Sequence, residues 1–420
     1  MSSALPLHRL VVMFAPRRRA AAWTAAVALT LGLAACGGGG ASGHEAAGTN
    51  GGGHASTQPA EGSTSAAAPG AGSSPTASAA PTPTGAPVAP TRNIYAAAGA
   101  GMLTGPAKEA KPLVYVPNGE SNTVDVIDPA TYQVVDHFPV GRMPQHVVPA
   151  WDLAMLYVTN NSGNSLTPID PRTGKPGAAI PVDDPYNMYF TPDGEYAIVV
   201  AEALQRLDFR DPHTFALVKS VKVDCKGIDH IDFAADDSYL IGTCEFAGKL
   251  VKLDLRTQEV IGYITTGGMP QDIKLDPAGT TFYVADMQAN GLHIVDGAAF
   301  TKTGFLPTGK GAHGLYPSRD ASVIYVSNRG EGTISVVDFA TGKITATWDL
   351  GNRTDSPDMG GVSVDGNVLW LSGRYSSVVY AVDTRTGKLI HRIPVGKGPH
   401  GLCVWPQPGR YSLGHTGILR

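Results

Sequence analysis

From residue 113 onward, apolar and polar residues alternate with period two, in short runs separated by Gly, Pro, Asp and Asn. This is the pattern of half-buried β-strands joined by tight turns. The runs themselves recur. Tyr157-Val158-Thr159-Asn160 leads through Pro168-Ile169-Asp170 to Thr173-Gly174-Lys175 and Ile180-Pro181-Val182. The phrase returns as Tyr325-Val326-Ser327-Asn328, Val336-Val337-Asp338 and Thr341-Gly342-Lys343. It returns again as Ala381-Val382-Asp383, Thr386-Gly387-Lys388 and Ile393-Pro394-Val395-Gly396. A period of about 42 residues built from short strands predicts a β-propeller.

Each unit reads as four strands. The first follows a Gly/Pro turn, as in Pro270-Gln271-Asp272-Ile273, and the second is the Tyr-Val phrase. The third ends in aspartate, at Asp128, Asp170, Asp254, Asp296, Asp338 and Asp383. The fourth ends near Val140, Val182, Val223, Thr265, Pro307, Leu350 and Val395. The recurring aspartate belongs to the turn: its carboxylate accepts a backbone N–H two residues on, and the Thr-Gly that follows supplies the positive φ. First strands begin near His146, Asn187, His230, Asp272, His313, Met359 and His400, which predicts an all-β, seven-bladed propeller. The register is split across the chain. The folded part opens on a second strand, Leu113 to Pro117, and closes on a first strand, His400 to Trp405. The C-terminal inner strand is therefore expected to pair with the N-terminal strands and close the ring without an open edge. Such a ring needs no partner for its edges, so a monomer is expected.

The chain before the repeats has another composition. Arg17-Arg18-Arg19 precedes an apolar run from Ala20 to Leu33, then Ala34-Ala35-Cys36-Gly37. This order predicts a lipoprotein signal peptide over residues 1–35 with Cys36 lipidated, or else an ordinary cleaved signal peptide. Residues 36–105 are almost wholly Gly, Ala, Ser, Thr and Pro. They hold too little apolar surface to offset chain entropy and read as a disordered tether, about 50 Å from end to end. The propeller would then occupy residues 106–420, outside the cytoplasm and anchored to the membrane through lipid. In that compartment Cys225 and Cys244, which flank one hairpin, could pair or stay free. Cys403, in Leu402-Cys403-Val404-Trp405, reads as a small buried hydrophobe. The formal net charge of -4, with no basic cluster in the repeats, argues against nucleic acid as a partner.

The Tyr-Val-Thr-Asn phrase, with its Val-Asp and Thr-Gly-Lys partners, resembles the YVTN-repeat, YncE-like family of bacterial β-propellers over about residues 112–408. Blades three and four depart from it, with Val199-Val200-Ala201-Glu202 and Ile241-Gly242-Thr243-Cys244. The resemblance implies a propeller and an extracytoplasmic life. Relatives include surface-layer proteins, cytochrome-D1-type haem domains of nitrite reductases, the propeller of nitrous oxide reductase and lactonase-like enzymes. It carries none of those activities to this chain, because fold does not fix function.

Candidate chemistry gathers where one repeat joins the next, at one mouth of the channel. Those joints hold Met143-Pro144-Gln145-His146, Pro185-Tyr186-Asn187-Met188, Asp229-His230, Met269-Pro270-Gln271-Asp272, Ala312-His313-Gly314, Pro357-Asp358-Met359 and Pro399-His400-Gly401. Second-strand ends at Asn118, Asn160, Glu202, Glu245, Asp286, Asn328 and Arg374 are expected on the same face. One reading makes the histidines staples between blades. A second makes His146, His230, His313 and His400, with Met269 and Met359, a copper or other transition-metal site. A third takes a haem-type tetrapyrrole or small ligand among these histidines, Asp229, Asp272, Asp358 and Arg374. There is no Gly-x-Ser-x-Gly elbow, no Cys-x-x-Cys-His and no phosphate-binding glycine motif within the repeats. Lactonase-like hydrolysis would have to work through metal-activated water. The tail after Pro408 is too short for another blade, and His415 reads as structural or solvated. The sequence thus points first to a membrane-anchored binding or scaffold module with a ligand or protein partner at the channel mouth, and second to a cofactor-binding propeller.

Overall fold

The alternating runs pair into seven antiparallel sheets around a central channel. The structure, a computed structural model, describes residues 93–415 and 418–420. The expected signal peptide and the lipidated Cys36 lie outside the described residues, as does most of the expected tether.

Blade four shows the standard unit: Ile228–Phe233 innermost, then Tyr239–Cys244, Lys249–Asp254 and Glu259–Thr265. Inner strands are buried along their length, whereas outer strands alternate toward solvent. In blade two the outer strand is split into Lys175–Pro176 and Ile180–Pro181. Blade one is built from both chain ends, with Cys403–Trp405 innermost against Leu113–Asn118. The pairs are Leu113↔Trp405, Val114↔Val404 and Tyr115↔Cys403. The regular inner strand is shorter than expected, because Pro399 and Gly401 make isolated bridges to Asn118 and His146 instead.

Packing lies between blades. Val114 and Ile127 of blade one meet Trp370, Val379 and Ile393 of blade seven, with Leu402 and Val404 among them. Fully burying each such side chain contributes about 1.5–3 kcal/mol. Buried polar groups add hydrogen bonds one repeat apart: Tyr189 Oη accepts from Ile231 N (3.1 Å), Asp232 from Leu275 N (2.8 Å), Asp272 from Leu315 N (2.9 Å) and Tyr316 Oη from Gly360 N (2.7 Å). Tyrosine and aspartate supply these four bonds between inner strands. The aspartates closing third strands do serve turns, accepting from Thr257, Thr341 and Thr386 N–H groups three residues on. Cys225 and Cys244 form a disulfide, while Cys403 is free and buried.

Two segments outside the repeat join the body. Residues 93–105, assigned by composition to the tether, pack against the ring because Ile94, Tyr95 and Ala98 give them apolar anchors. Tyr95 and Ala98 are buried with Ala321, the Tyr95 hydroxyl donates to Leu275 O (2.6 Å), and Ile94 N donates to Pro277 O (3.0 Å). At the other end, Gly414 bridges to Tyr189 and Ser412 to Leu419. Leu413 and Ile418 join the core shared by blades three and four. The Arg420 guanidinium donates to Phe233 O (2.7 Å) and Ala234 O (3.1 Å) and pairs with Asp232 (3.3 Å).

Candidate functional site

The inner strands do not enter the channel as regular strands. In five blades two inner-strand residues stand opposite one residue of the neighbouring strand: Gln145-His146, Asp229-His230, Gln271-Asp272, His313-Gly314 and Asp358-Met359. Such a bulge bends the strand and re-aims its side chains. Hydroxyls on the neighbouring strand secure it. Thr159 accepts from His146 N (3.0 Å), Thr243 from His230 N (3.0 Å), Ser327 from Gly314 N (2.8 Å) and Ser372 from Met359 N (3.2 Å). The third residue of the repeated phrase is therefore a bulge staple. The fourth, asparagine, ties to the next strand: Asn160 donates to Thr167 (2.9 Å) and Asn328 to Ser335 (3.0 Å).

The bulges present two successive levels of side chains. Nearer the mouth are Gln145, Tyr186, Asp229, Gln271, His313, Asp358 and His400. One residue further in are His146, Asn187, His230, Asp272 and Met359. Above both, just beyond the second strands, come Glu202, Glu245, Met287, Arg329 and Arg374. The asparagines expected at this face, with Asp286, are one register position short of it and buried. The difference arises because Glu202, Glu245 and Arg374 follow strands that end at Ala201, Cys244 and Gly373.

Asp358 organises one side of the mouth. Fully buried, it meets His400 Nδ1 (2.7 Å), His313 Nδ1 (3.0 Å), Arg329 Nη1 (3.1 Å) and, more distantly, Arg374 Nη1 (4.0 Å). Despite burial, His313 and the two arginines hold its carboxyl below the usual range. Burial pushes His313 and His400 well below the usual imidazole range. His313 also touches Met359 Sδ (3.1 Å), and His400 Nε2 lies 3.4 Å from the Tyr186 hydroxyl. The other side is acidic. Burial, with Asp229 and Glu245 nearby, pushes Glu202 up to about 8. Burial and Asp229 push Glu245 up to about 7.

His146 and His230 lie deeper and meet His415 from the tail. Nitrogens of the three lie within 4.8 Å of one another, and all three residues are buried. Neither nitrogen of His146 has a hydrogen-bond partner among the described residues. Burial, then the neighbouring His400, His415 and His230, hold it neutral. His230 Nδ1 is 2.9 Å from Asp229 Oδ1, but off the direction a hydrogen bond needs, so the contact is an ion pair. Burial opposes charge on His230, yet Asp229 and Asp272 raise it overall. His415 Nδ1 lies 3.2 Å from Asn187 Nδ2, and its Nε2 3.6 Å from Asp272. Gly401 has to lack a side chain, since a Cβ there would stand 2.0 Å from His146 Nδ1.

The four repeat histidines thus form one chain of ring contacts, His230 to His146 (5.4 Å), His146 to His400 (4.8 Å) and His400 to His313 (5.9 Å). Asp272 serves the bond to Leu315 N and a pair with Lys274 (3.2 Å). Met269 caps Asp286 through its backbone N–H (2.9 Å). His415 was outside the sequence-based set because it lies off the repeat.

A prediction follows for Glu202. Unfolded, its carboxyl titrates near 4.5; folded, it holds the proton to about 8. The folded chain thus binds more protons between these values, and this group costs stability as pH rises through that window. Glu202→Gln is expected to leave stability unchanged at pH 4 and to raise it at pH 9 by about 2 kcal/mol, discounted for partial solvent screening. Urea denaturation at the two pH values checks this.

The architecture is that of a β-propeller with a polar channel and a charged mouth. A model of the YNCE-like β-propeller matches residues 87–408, and the chain belongs to that family. It is 24% identical over 214 residues to proteins described as "Uncharacterized protein YncE" from Salmonella typhi and Salmonella typhimurium. The match takes in 48% of this chain and 59% of theirs. Among solved structures, a functionally unknown protein from Desulfotomaculum acetoxidans superposes with TM-score 0.60 at 14% identity, covering 71% of this chain and 100% of that one. Dihydro-heme d1 dehydrogenase NirN, in complex with DHE, gives 0.55 at 16% identity, covering 72% and 77%. Kuenenia stuttgartiensis hydrazine synthase gives 0.54 at 19%, covering 61% and 87%. At these identities the likeness is one of fold.

The imidazoles here do not fit a haem-type tetrapyrrole. An axial ligand needs a flat slot in front of its ring. The rings of His313 and His400 pack against each other, with centres 5.9 Å apart. His146 is packed within 4.8–5.4 Å of the ring centres of Tyr186, His230, His400 and His415.

Proposed function

We propose that this protein is an exported, lipid-anchored binding propeller whose mouth takes a small ligand carrying both a positive and a negative group, of the amino-acid class. The observation that carries this reading is a pair of unsatisfied, opposite charges. Among the described residues both carboxylate oxygens of buried Asp229 lack a hydrogen bond, their nearest cation being the misaligned His230, and the buried Nη1 of Arg374 lacks one too, with Asp358 no nearer than 4.0 Å. Leaving such groups unpaired costs free energy that a ligand can recover. Glu202 and Glu245 border the same side and hold their protons to about 8 and about 7, so an ammonium seated there would favour their ionised forms. Arg374 also lines a cavity of about 400 Å³ with Arg142, Gln145 and Ser162, where a carboxylate would sit. Export and anchoring rest on the arginine cluster, the apolar run and Cys36 in the sequence.

The test is thermal stability with glycine, L-glutamine and γ-aminobutyrate, against acetate and ethylammonium as single-charge controls. At a hundred times its dissociation constant a ligand stabilises by about 2.7 kcal/mol. The zwitterions are expected to raise Tm, the controls not, and Arg374→Ala to remove the effect. Equal shifts with the controls, or no shift with any zwitterion, would refute the reading.

A further inference from the structure

Below the mouth, three imidazoles from distant parts of the chain face one another: His146 of blade two, His230 of blade four and His415 of the tail. We propose that they bind one divalent transition-metal ion inside the channel. The site stands on its own residues and does not depend on the ligand proposed above. Three features carry it. The nitrogens already lie within 4.8 Å of one another, so modest ring movements bring them around one ion. Among the described residues both nitrogens of fully buried His146 lack a hydrogen-bond partner, which costs free energy that a bound ion would recover. Asp229 stands 2.9 Å from His230 Nδ1, near enough to become the carboxylate partner of a ligating imidazole once the ring turns into line.

The donor set selects the ion. Imidazole suits zinc, copper, nickel and cobalt, whereas magnesium and calcium need oxygen donors. Three protein ligands leave a coordination position open, as in catalytic rather than structural zinc sites. Tyr186, one level nearer the mouth, packs against His146 and His230 at ring-centre distances of 5.4 and 6.1 Å. It therefore stands between the ion and the mouth. His415 brings a second consequence: the tail must be docked for the site to be complete.

The experiment uses the purified, untagged chain after chelator treatment, titrated with zinc chloride in a calorimeter and with cobalt chloride in a visible spectrometer. One high-affinity ion per chain is expected, with cobalt absorption bands of a low-coordinate nitrogen site. His146→Ala and His415→Ala are each expected to weaken binding at least about 100-fold. His313→Ala and Arg374→Ala are expected to leave it unchanged. His146→Ala breaks no hydrogen bond, and circular dichroism checks that it folds. Should it misfold, His415→Ala decides alone, since that residue lies on the tail. Absence of uptake by the parent chain, or affinity unchanged in the folded variants, would overturn the proposal. Failure of the zwitterion test would not touch it.

Discussion

A chain ending at Pro399 is expected not to fold as a ring. The residues lost include the inner strand Cys403–Trp405, which supplies all the ladder pairing on the inner edge of Leu113–Asn118. They also include Leu402 and Val404 from the core between blades one and seven, and Cys403 and Trp405 from the core between blades one and two. Leu413 and Ile418 leave the core of blades three and four. At about 1.5–3 kcal/mol for each large buried side chain, the loss is as large as the roughly 5–15 kcal/mol by which a domain is stable. The expected result is loss of the cooperative thermal transition and rapid proteolysis. Ending the chain at Gln407 instead keeps the closing strand and removes only the tail. That variant is expected to melt cooperatively at lower temperature. If the chain ending at Pro399 melted as cooperatively as the parent, ring closure would not be what holds the fold.

Replacing Asp358 by alanine is expected to cost about 3–5 kcal/mol, because it strips two arginines and two histidines of the carboxylate buried between them. Asp358→Asn, which keeps the shape and some hydrogen bonding, is expected to lose less. The pH dependence has a definite sign. His313 is depressed well below its usual 6.5, so the unfolded chain takes up a proton there that the folded chain refuses. Its contribution is present above pH 6.5 and lost as pH falls. Asp358 is depressed below 3.8, so its contribution is present above that value and lost beneath it. Stability of the parent should therefore fall in two stages on acidification. Asp358→Ala should shrink the second and His313→Gln the first, the remainder coming from other depressed groups such as Asp272 and Asp286, and His146 and His400. Denaturant midpoints from pH 8 to pH 3 measure both.

The number of blades and the split closing sheet could be read from the sequence, because a period of repeats survives changes in single residues. The jobs of the phrase residues could not. An alternating pattern treats a strand as uniform, and the bulges that place Gln145 and His146 on adjacent levels depend on Thr159 reaching across to the neighbouring strand. The same blindness misplaced Asn160 beside Glu202, although one ends its strand and the other follows it. The tail was hidden for a different reason. His415 reaches His146 and His230 by contacts far apart in sequence, and no local pattern encodes them. Residues 93–105 were masked by composition, since three apolar anchors in a Gly/Ala stretch change its fate without changing its average.

Ring closure also sets an order of events. Leu113 meets Trp405 only after the whole of the repeat has been made. Closing so long a loop carries an entropic cost that grows slowly with length, but the contact cannot form early. A chain handed to an export machine from its N-terminus would thus reach the far side before its first sheet could be finished. On the export proposed above, the completing strand would follow the repeats through, and the ring would lock only on arrival.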